Sequence, residues 1–174
     1  MRRLIPTAIL ALLTAVAWAE SGTPPAPGVP NAADLVAHFY GQDIFIMPGR
    51  GFRTVRLGTP FQTAVQAWGP PQQVEEHPLF GVSRRATWAA GSDGKVILYG
   101  FDLIREIEIH GGSTVTLQTL EGVRFGMPAY QITTIYGPPG SNSANEIAYP
   151  ARGIAFGLSN GLVAAIKVFP PKGK

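Results

Sequence analysis

Two short runs along the chain set apolar residues at helical spacing, and each is followed by stretches in which apolar and polar residues alternate. In the first run Phe61, Ala64, Val65 and Trp68 stand at i, i+3, i+4 and i+7, a single stripe on a helix. Thr59 is the expected N-cap and Pro60 the expected first helical residue, where a missing N–H is tolerated. Gly69 then stops the helix and Pro70-Pro71 prevent its resumption. The second run sets Ala129, Ile132, Ile135 and Tyr136 on the same plan, with Met127 in the place of Thr59. A helix this short is unstable alone, so each stripe must be covered by the rest of the fold.

The two runs are copies of one stretch. Val55–Pro71 reads VRLGTPFQTAVQAWGPP and Val123–Pro139 reads VRFGMPAYQITTIYGPP, an offset of 68 residues without a gap and with seven identical positions. Alternating strands follow each copy. After the first they are expected at Arg85–Ala89, Lys95–Phe101 and Leu103–His110, with a turn at Gly91–Gly94. After the second they are expected at Glu146–Tyr149, Ile154–Leu158 and Leu162–Phe169, with turns at Pro150–Gly153 and Ser159–Gly161. Trp88 matches Tyr149, and Leu103-Ile104 match Leu162-Val163. The first copy is longer between these landmarks, which places an insertion at Gln72–Arg84. Leading strands are expected at Asp43–Met47 and Thr114–Leu117, with a join at Gly111-Gly112. The pattern predicts an α+β fold of two tandem modules, each a short helix packed on an antiparallel β-meander.

The first thirty residues stand outside this plan. Met1-Arg2-Arg3 is positive, Leu4–Val16 is apolar, and Ala17-Trp18-Ala19 is a small-x-small cleavage site, the organisation of a secretory signal peptide. The apolar run falls short of the roughly 20 residues a membrane span needs. Ser21–Pro30 is a Pro/Gly-rich linker, and Asn31–Tyr40 reads as an added N-terminal helix with Leu35, Val36, Phe39 and Tyr40 on its apolar side. The expected organisation is therefore a signal over 1–19, a linker over 20–30, the N-terminal helix with the first module over 31–112, the second module over 113–170, and a basic tail over 171–174. Location is then periplasmic or extracellular.

Composition narrows the function. The formal charge is +3, but Arg2 and Arg3 leave with the signal, so twelve basic residues face eleven acidic ones and the net is +1. Nucleic-acid binding loses its electrostatic premise at that charge. With no Cys in an exported chain, stability must come from packing rather than disulfides.

No catalytic constellation stands up well. Gly157-Leu158-Ser159-Asn160-Gly161 has the spacing of a nucleophile elbow, but the β-branched residues that follow and the Asn-Gly pair read as a hairpin. Gly49-x-Gly51 lacks the helix start of a phosphate loop. Glu106, Glu108 and His110 share one face of a strand at period two; they suit metal or proton chemistry, or form the wet face of a half-buried sheet. Their matched positions in the second copy are Ala165, Lys167 and Phe169. His38 and His77 have no ligand partners at metal spacing. Trp68, Tyr136, Trp88 and Tyr149 occupy matched positions and read as packing between helix and sheet. The Gln72–Arg85 insertion carries His77, Pro78, Leu79, Phe80, Arg84 and Arg85 outside the shared pattern; it is either a solvated connector or a protein-contact loop. Glu75-Glu76 are expected in that loop.

The hydrophobic-Arg-hydrophobic-Gly opening, the short helix, the aromatic-Gly-Pro-Pro close and the terminal strands carry a resemblance. In Val55–Pro71, Ile104–Ile109, Val123–Pro139 and Tyr149–Val168 the chain resembles the repeat module of β-lactamase inhibitory proteins. It is also similar to the small lipoprotein of the outer-membrane β-barrel assembly machinery. The inhibitors carry loop disulfides and the lipoprotein a lipidated Cys, and this chain has neither. The resemblance implies a protein-binding role through a concave sheet face or the loops beside it. The expectation is a non-enzymatic, exported protein-binding module that contacts another protein through Phe80, Arg84, Arg85, Glu106, Glu108 and His110. No cofactor, metal, nucleic acid or membrane span enters it. The alternatives are a secreted hydrolase inhibitor, or a small-ligand carrier or enzyme using the sheet.

Overall fold

The computed structural model describes residues 45–52, 54–76, 84–112 and 117–173, all within one compact unit, Gln42–Lys174. The signal over 1–19, the linker over 20–30, the helix over 31–40, and His77 and Phe80 of the insertion lie outside the described residues. So do the first residues of both expected leading strands.

The chain order is β1 (Phe45–Met47), β2 (Gly51–Phe52), β3 (Val55–Arg56), α1 (Phe61–Trp68), β4 (Gln73–Glu76), β5 (Arg84–Ala90), β6 (Gly94–Gly100) and β7 (Ile104–His110). It continues with β8 (Gln118–Thr119), α2 (Ala129–Tyr136), β9 (Ser141–Asn142), β10 (Glu146–Tyr149), a 3-10 turn at Pro150–Arg152, β11 (Ile154–Ser159) and β12 (Leu162–Val168). The fold is α+β. One sheet runs β4-β5-β6-β7-β12-β11-β10-β9, so two four-strand meanders meet at their last strands; the other runs β3-β2-β1-β8. The second leading strand is found at Gln118–Thr119 rather than ending at Leu117, and it pairs in parallel with β1.

Both helices follow their stripes. Phe61 and Ala64 are buried on α1, and Ile132 and Tyr136 on α2. They share one core cluster with Trp88, Val96, Leu98, Ile107 and Ile109 from one half of the large sheet and Tyr149, Phe156, Ile166 and Val168 from the other. Ile135 departs from the expectation: it is an exposed residue, because Ile132 and Tyr136 already take the inward side of two helical turns.

The helix starts correct a second expectation. Thr59 does not cap α1; its hydroxyl donates to the Arg56 carbonyl at 2.7 Å. Pro60 takes the N-cap place instead, with extended backbone, and Pro128 does the same for α2. The cause is pairing with the following sheet. Phe61 N–H donates to Asp102 O at 3.2 Å and Ile104 N–H to Thr59 O at 2.9 Å, while Ala129 N–H donates to Gly161 O at 3.0 Å and Val163 N–H to Met127 O at 2.9 Å. Each start is thus held by the turn ahead of β7 or β12, and no side-chain cap is needed.

The helix ends are held alike. Gly69 and Gly137 both have φ of 78° with ψ near ±180°, a region open essentially to glycine alone. Their carbonyls accept hydrogen bonds from Trp88 Nε1 and Tyr149 OH, each at 2.9 Å. Trp68 lies edge-on to Trp88 with centroids 5.7 Å apart, and Tyr136 lies 5.0 Å from Tyr149. The four matched aromatics therefore fasten helix ends to the sheet.

Candidate functional site

Alternation along β5, β6, β7, β10, β11 and β12 sends one set of side chains into the core and the other to the opposite face of the sheet. On β7, Ile107 and Ile109 point inward, so Glu106, Glu108 and His110 share the outer face. Register sets Arg85 of β5 opposite Tyr99 of β6 and Glu75 of β4, with Tyr99 opposite Glu106. On the far side Glu108 is opposite Lys167 of β12, and Lys167 is opposite Ala155 of β11.

These side chains hold one another. Gln73 Nε2 donates to Glu75 Oε1 at 2.6 Å, and Arg85 Nη1 lies 2.9 Å from Glu75 Oε2. The Arg85 guanidinium is 5.9 Å from the centre of the Tyr99 ring, within cation–π range. Tyr99 OH donates to Glu108 Oε2 at 2.9 Å, and His110 Nε2 is 3.0 Å from Glu108 Oε1, an ion pair whenever the imidazole is protonated. Lys167 Nζ is 2.9 Å from Glu146 Oε2 on β10.

The titration behaviour follows from these contacts. The hydrogen bond from His110, aided by the one from Tyr99, holds the Glu108 carboxyl down to about 2 against the opposing effect of burial. Burial, with the adjacent Glu108 carboxylate, pushes Tyr99 up to about 12. Glu106 is shifted the other way from Glu108: burial raises it, and the Lys167 charge only partly offsets this. Burial pulls Lys167 down, but its bond to Glu146 and the Glu108 and Glu106 charges outweigh burial and raise it. The hydrogen bond to Glu75 raises Arg85.

Four of the six residues singled out from the sequence, Arg85, Glu106, Glu108 and His110, come together on this face. Arg84 does not. As the strand neighbour of Arg85 it projects to the helix side, where its guanidinium lies 5.8 Å from the Phe61 ring centre. There it lines an open cleft of about 440 Å³ with Phe61, Val65, Val74 and Trp88. Arg85 lies on β5, as the expected Arg85–Ala89 strand has it, while Arg84, also on β5, and Glu75-Glu76, on β4, stand on strands rather than in the expected loop. The reason is pairing: Val74 opposite Ala86 and Glu75 opposite Arg85 satisfy the backbone of β5 on that side. Phe80 lies outside the described residues.

Sequence reasoning missed Tyr99, Glu75 and Glu146 as members of the face. Period-two alternation through Lys95–Tyr99 carried the signal for Tyr99. No local signal existed for Glu75. Ser159 stands at the end of β11, and Asn160-Gly161, both with positive φ, turn the chain directly into β12. A hairpin occupies the place where a nucleophile elbow needs a helix. Among the described residues no three His, Asp or Glu side chains gather in a metal-binding arrangement, and no helix is long and apolar enough to cross a membrane.

No protein-family model matches the chain, and no curated protein matches it in sequence. Among solved structures it is similar to an extracellular protein containing an SCP domain from Bacillus anthracis, at 8% identity and a TM-score of 0.44. The similarity covers 66% of this chain and 44% of that one, so the chain spans less than half of that structure.

Proposed function

We propose that this chain is an exported, non-enzymatic protein-binding module of the cell envelope or extracellular space. In this reading it is built from two tandem helix-on-meander units akin to those of the β-lactamase inhibitory proteins. The observation that carries the reading is the outer face of the large sheet. Side chains are tied there in three groups, across β4 and β5, across β6 and β7, and across β12 and β10, by contacts of 2.6 to 3.0 Å. Side chains already held in place lose little freedom when a partner docks, which lowers the cost of association. Arg and Tyr, here Arg85 and Tyr99, are also the residue types that carry binding energy at protein interfaces.

The matched stretches support the tandem reading. Matched residues make matched bonds at both helix starts and both helix ends. Export rests on the signal over 1–19; the exported protein is expected to begin at Glu20, which N-terminal sequencing checks. The binding reading is tested by capture from envelope and culture fractions with wild type and with Arg85→Ala/Tyr99→Ala. A partner retained by wild type and lost by the double variant is the expected result. Absence of any specific partner, or equal retention by both, sinks it. A hydrolase-inhibition panel with the same two proteins tests the narrower alternative of a secreted inhibitor.

A further inference from the structure

Asn160-Gly161 is the one Asn-Gly pair in the sequence, and it forms the turn between β11 and β12. Both residues are exposed. The Asn160 amide carbon is an electrophile, and the backbone nitrogen that follows it is unhindered, because glycine has no Cβ. The other described asparagines, Asn142 and Asn145, are followed by Ser143 and Glu146, whose side chains obstruct that approach. The matched turn of the first copy, Phe101-Asp102, carries no such pair. Asp93-Gly94, between β5 and β6, offers a carboxylate in place of the amide and has no ammonia to expel.

The fold holds this pair in check. Asn160 has φ of 52° and Gly161 of 75°, the combination of a type I′ turn. Such a turn sets ψ of its first central residue at about 30°. The Gly161 nitrogen then points away from the Asn160 side chain, and reaching Cγ requires a large rotation about the Asn160 Cα–C bond. Pairing opposes that rotation on two sides. Ser159 is paired with Leu162 across the turn. Gly161 O accepts from Ala129 N–H at 3.0 Å, and Pro128 forms a bridge with Leu162. The bonds that hold the start of α2 to the sheet therefore also hold the turn closed.

We propose that Asn160 is a site of spontaneous deamidation, gated by opening of the β11–β12 turn, and that its isoaspartyl product releases the start of α2. In the opened turn the Gly161 nitrogen bonds to Asn160 Cγ as the Cγ–Nδ2 bond breaks. The Gly161 N–H proton leaves with Nδ2 as ammonia, and a five-membered succinimide remains. One water then opens the ring. Attack at Cγ gives aspartate with the main chain unchanged; attack at the backbone carbonyl gives isoaspartate, with the chain running through Cβ and Cγ. Water is the one co-reactant, and nothing is oxidised or reduced. Aspartate keeps the turn, because Asp-Gly is itself a type I′ pair. Isoaspartate adds a backbone carbon to a two-residue loop and carries Gly161 O away from Ala129 N–H.

The test incubates the exported protein in mildly alkaline buffer, folded and in guanidinium. Conversion is followed by mass in the tryptic peptide Gly153–Lys167, where Asn160 is the one asparagine. Isoaspartate is read by enzymatic methylation, and the start of α2 by hydrogen exchange at the Ala129 amide. Unfolded wild type is expected to convert Asn160 faster than Asn142 or Asn145. Folded wild type is expected to convert it about tenfold or more slowly than unfolded, since the turn must first open locally. Ala129→Pro removes the N–H donor at a first helical position, where proline is accommodated. It should speed folded conversion about fivefold, the factor of one net hydrogen bond. Asn160→Asp is expected to keep the wild-type protection of the Ala129 amide, and the isoaspartyl form to lose it about tenfold or more. Equal rates folded and unfolded would overturn the gating, and that comparison decides it whether or not Ala129→Pro folds. Conversion of Asn142 or Asn145 as fast as Asn160 overturns the site. An isoaspartyl form with wild-type protection at Ala129 overturns the release of α2.

Discussion

Tyr149→Phe isolates one bond that fastens a helix end to the sheet. Tyr149 is 5% exposed, and its hydroxyl donates to the Gly137 carbonyl at 2.9 Å. Its ring lies 5.0 Å from Tyr136 and 6.3 Å from Phe156. Phenylalanine keeps the ring and those contacts, so only the bond is lost and the carbonyl of Gly137 loses its donor. A net hydrogen bond contributes about 1 kcal/mol, and a buried group left unmet costs about 1–3 kcal/mol, which sets the expected loss at about 1.5 kcal/mol. With a urea slope of about 2 kcal/mol per molar, the unfolding midpoint falls by about 0.7 M. Tyr130→Phe is the control: Tyr130 is 68% exposed on the same helix, and its change is expected to stay within about 0.5 kcal/mol. Trp88→Phe removes the matched bond to Gly69 together with ring volume, so it should cost more than Tyr149→Phe. A Tyr149→Phe loss no larger than that of Tyr130→Phe would refute the reasoning for both helix ends.

Gly69→Ala and Gly137→Ala force a side chain into backbone conformations that glycine alone takes readily, and each is expected to cost about 1–3 kcal/mol in the same urea assay. Glu108, held down to about 2 from 4.5, contributes stability that is fully present above pH 4.5 and lost as the pH falls towards 2. Discounted for solvent screening this is about 1–2 kcal/mol, so wild type should lose more stability than Glu108→Gln between pH 6 and pH 3. Glu106 has the opposite sign: its carboxyl is raised from 4.5 on folding, so stability falls as pH rises above 4.5, and Glu106→Gln should match or exceed wild type at pH 7. Ile107→Ala empties a fully buried site between Leu98 of β6 and Val168 of β12 and should cost about 2–5 kcal/mol, against about 0.5 or less for exposed Ile135→Ala.

What the sequence made legible was local in origin. The stripes of α1 and α2, the alternation of β5–β7 and β10–β12 and the Asn-Gly hairpin all depend on spacing within a few residues. β4 and β9 were not legible, because Gln73–Glu76 and Ser141–Asn142 carry no apolar alternation. They are strands because β5 and β10 offer unpaired backbone groups along their edges. The cap at Thr59 failed for a related reason: Thr59 and Phe61, at the start of α1, bond to Ile104 and Asp102, more than forty positions away. On the candidate face, period two grouped Glu106, Glu108 and His110 correctly. It did not separate Arg84 from Arg85, since opposite projection follows only once both lie inside one strand.

The meeting of β7 with β12 explains why the two matched strands differ in charge. Sequence matching equates Glu108 with Lys167, and the register sets those same two residues opposite each other. Ile107 then faces Val168 and Ile109 faces Ile166, so matched strands meet around the Glu108–Lys167 pair. Had both copies kept one charged residue at this position, it would face its own copy across the join, and like charges directly opposite in a sheet destabilise it. An acid in one strand and a base in the other remove that conflict, and each charge supports the other's ionised form. The inward positions face no such conflict and stay aliphatic on both strands. The outer face is thus where matched positions are driven apart in chemistry, and it is there that Glu108 binds His110 and Tyr99, and that Lys167 binds Glu146 while its charge also acts on Glu106.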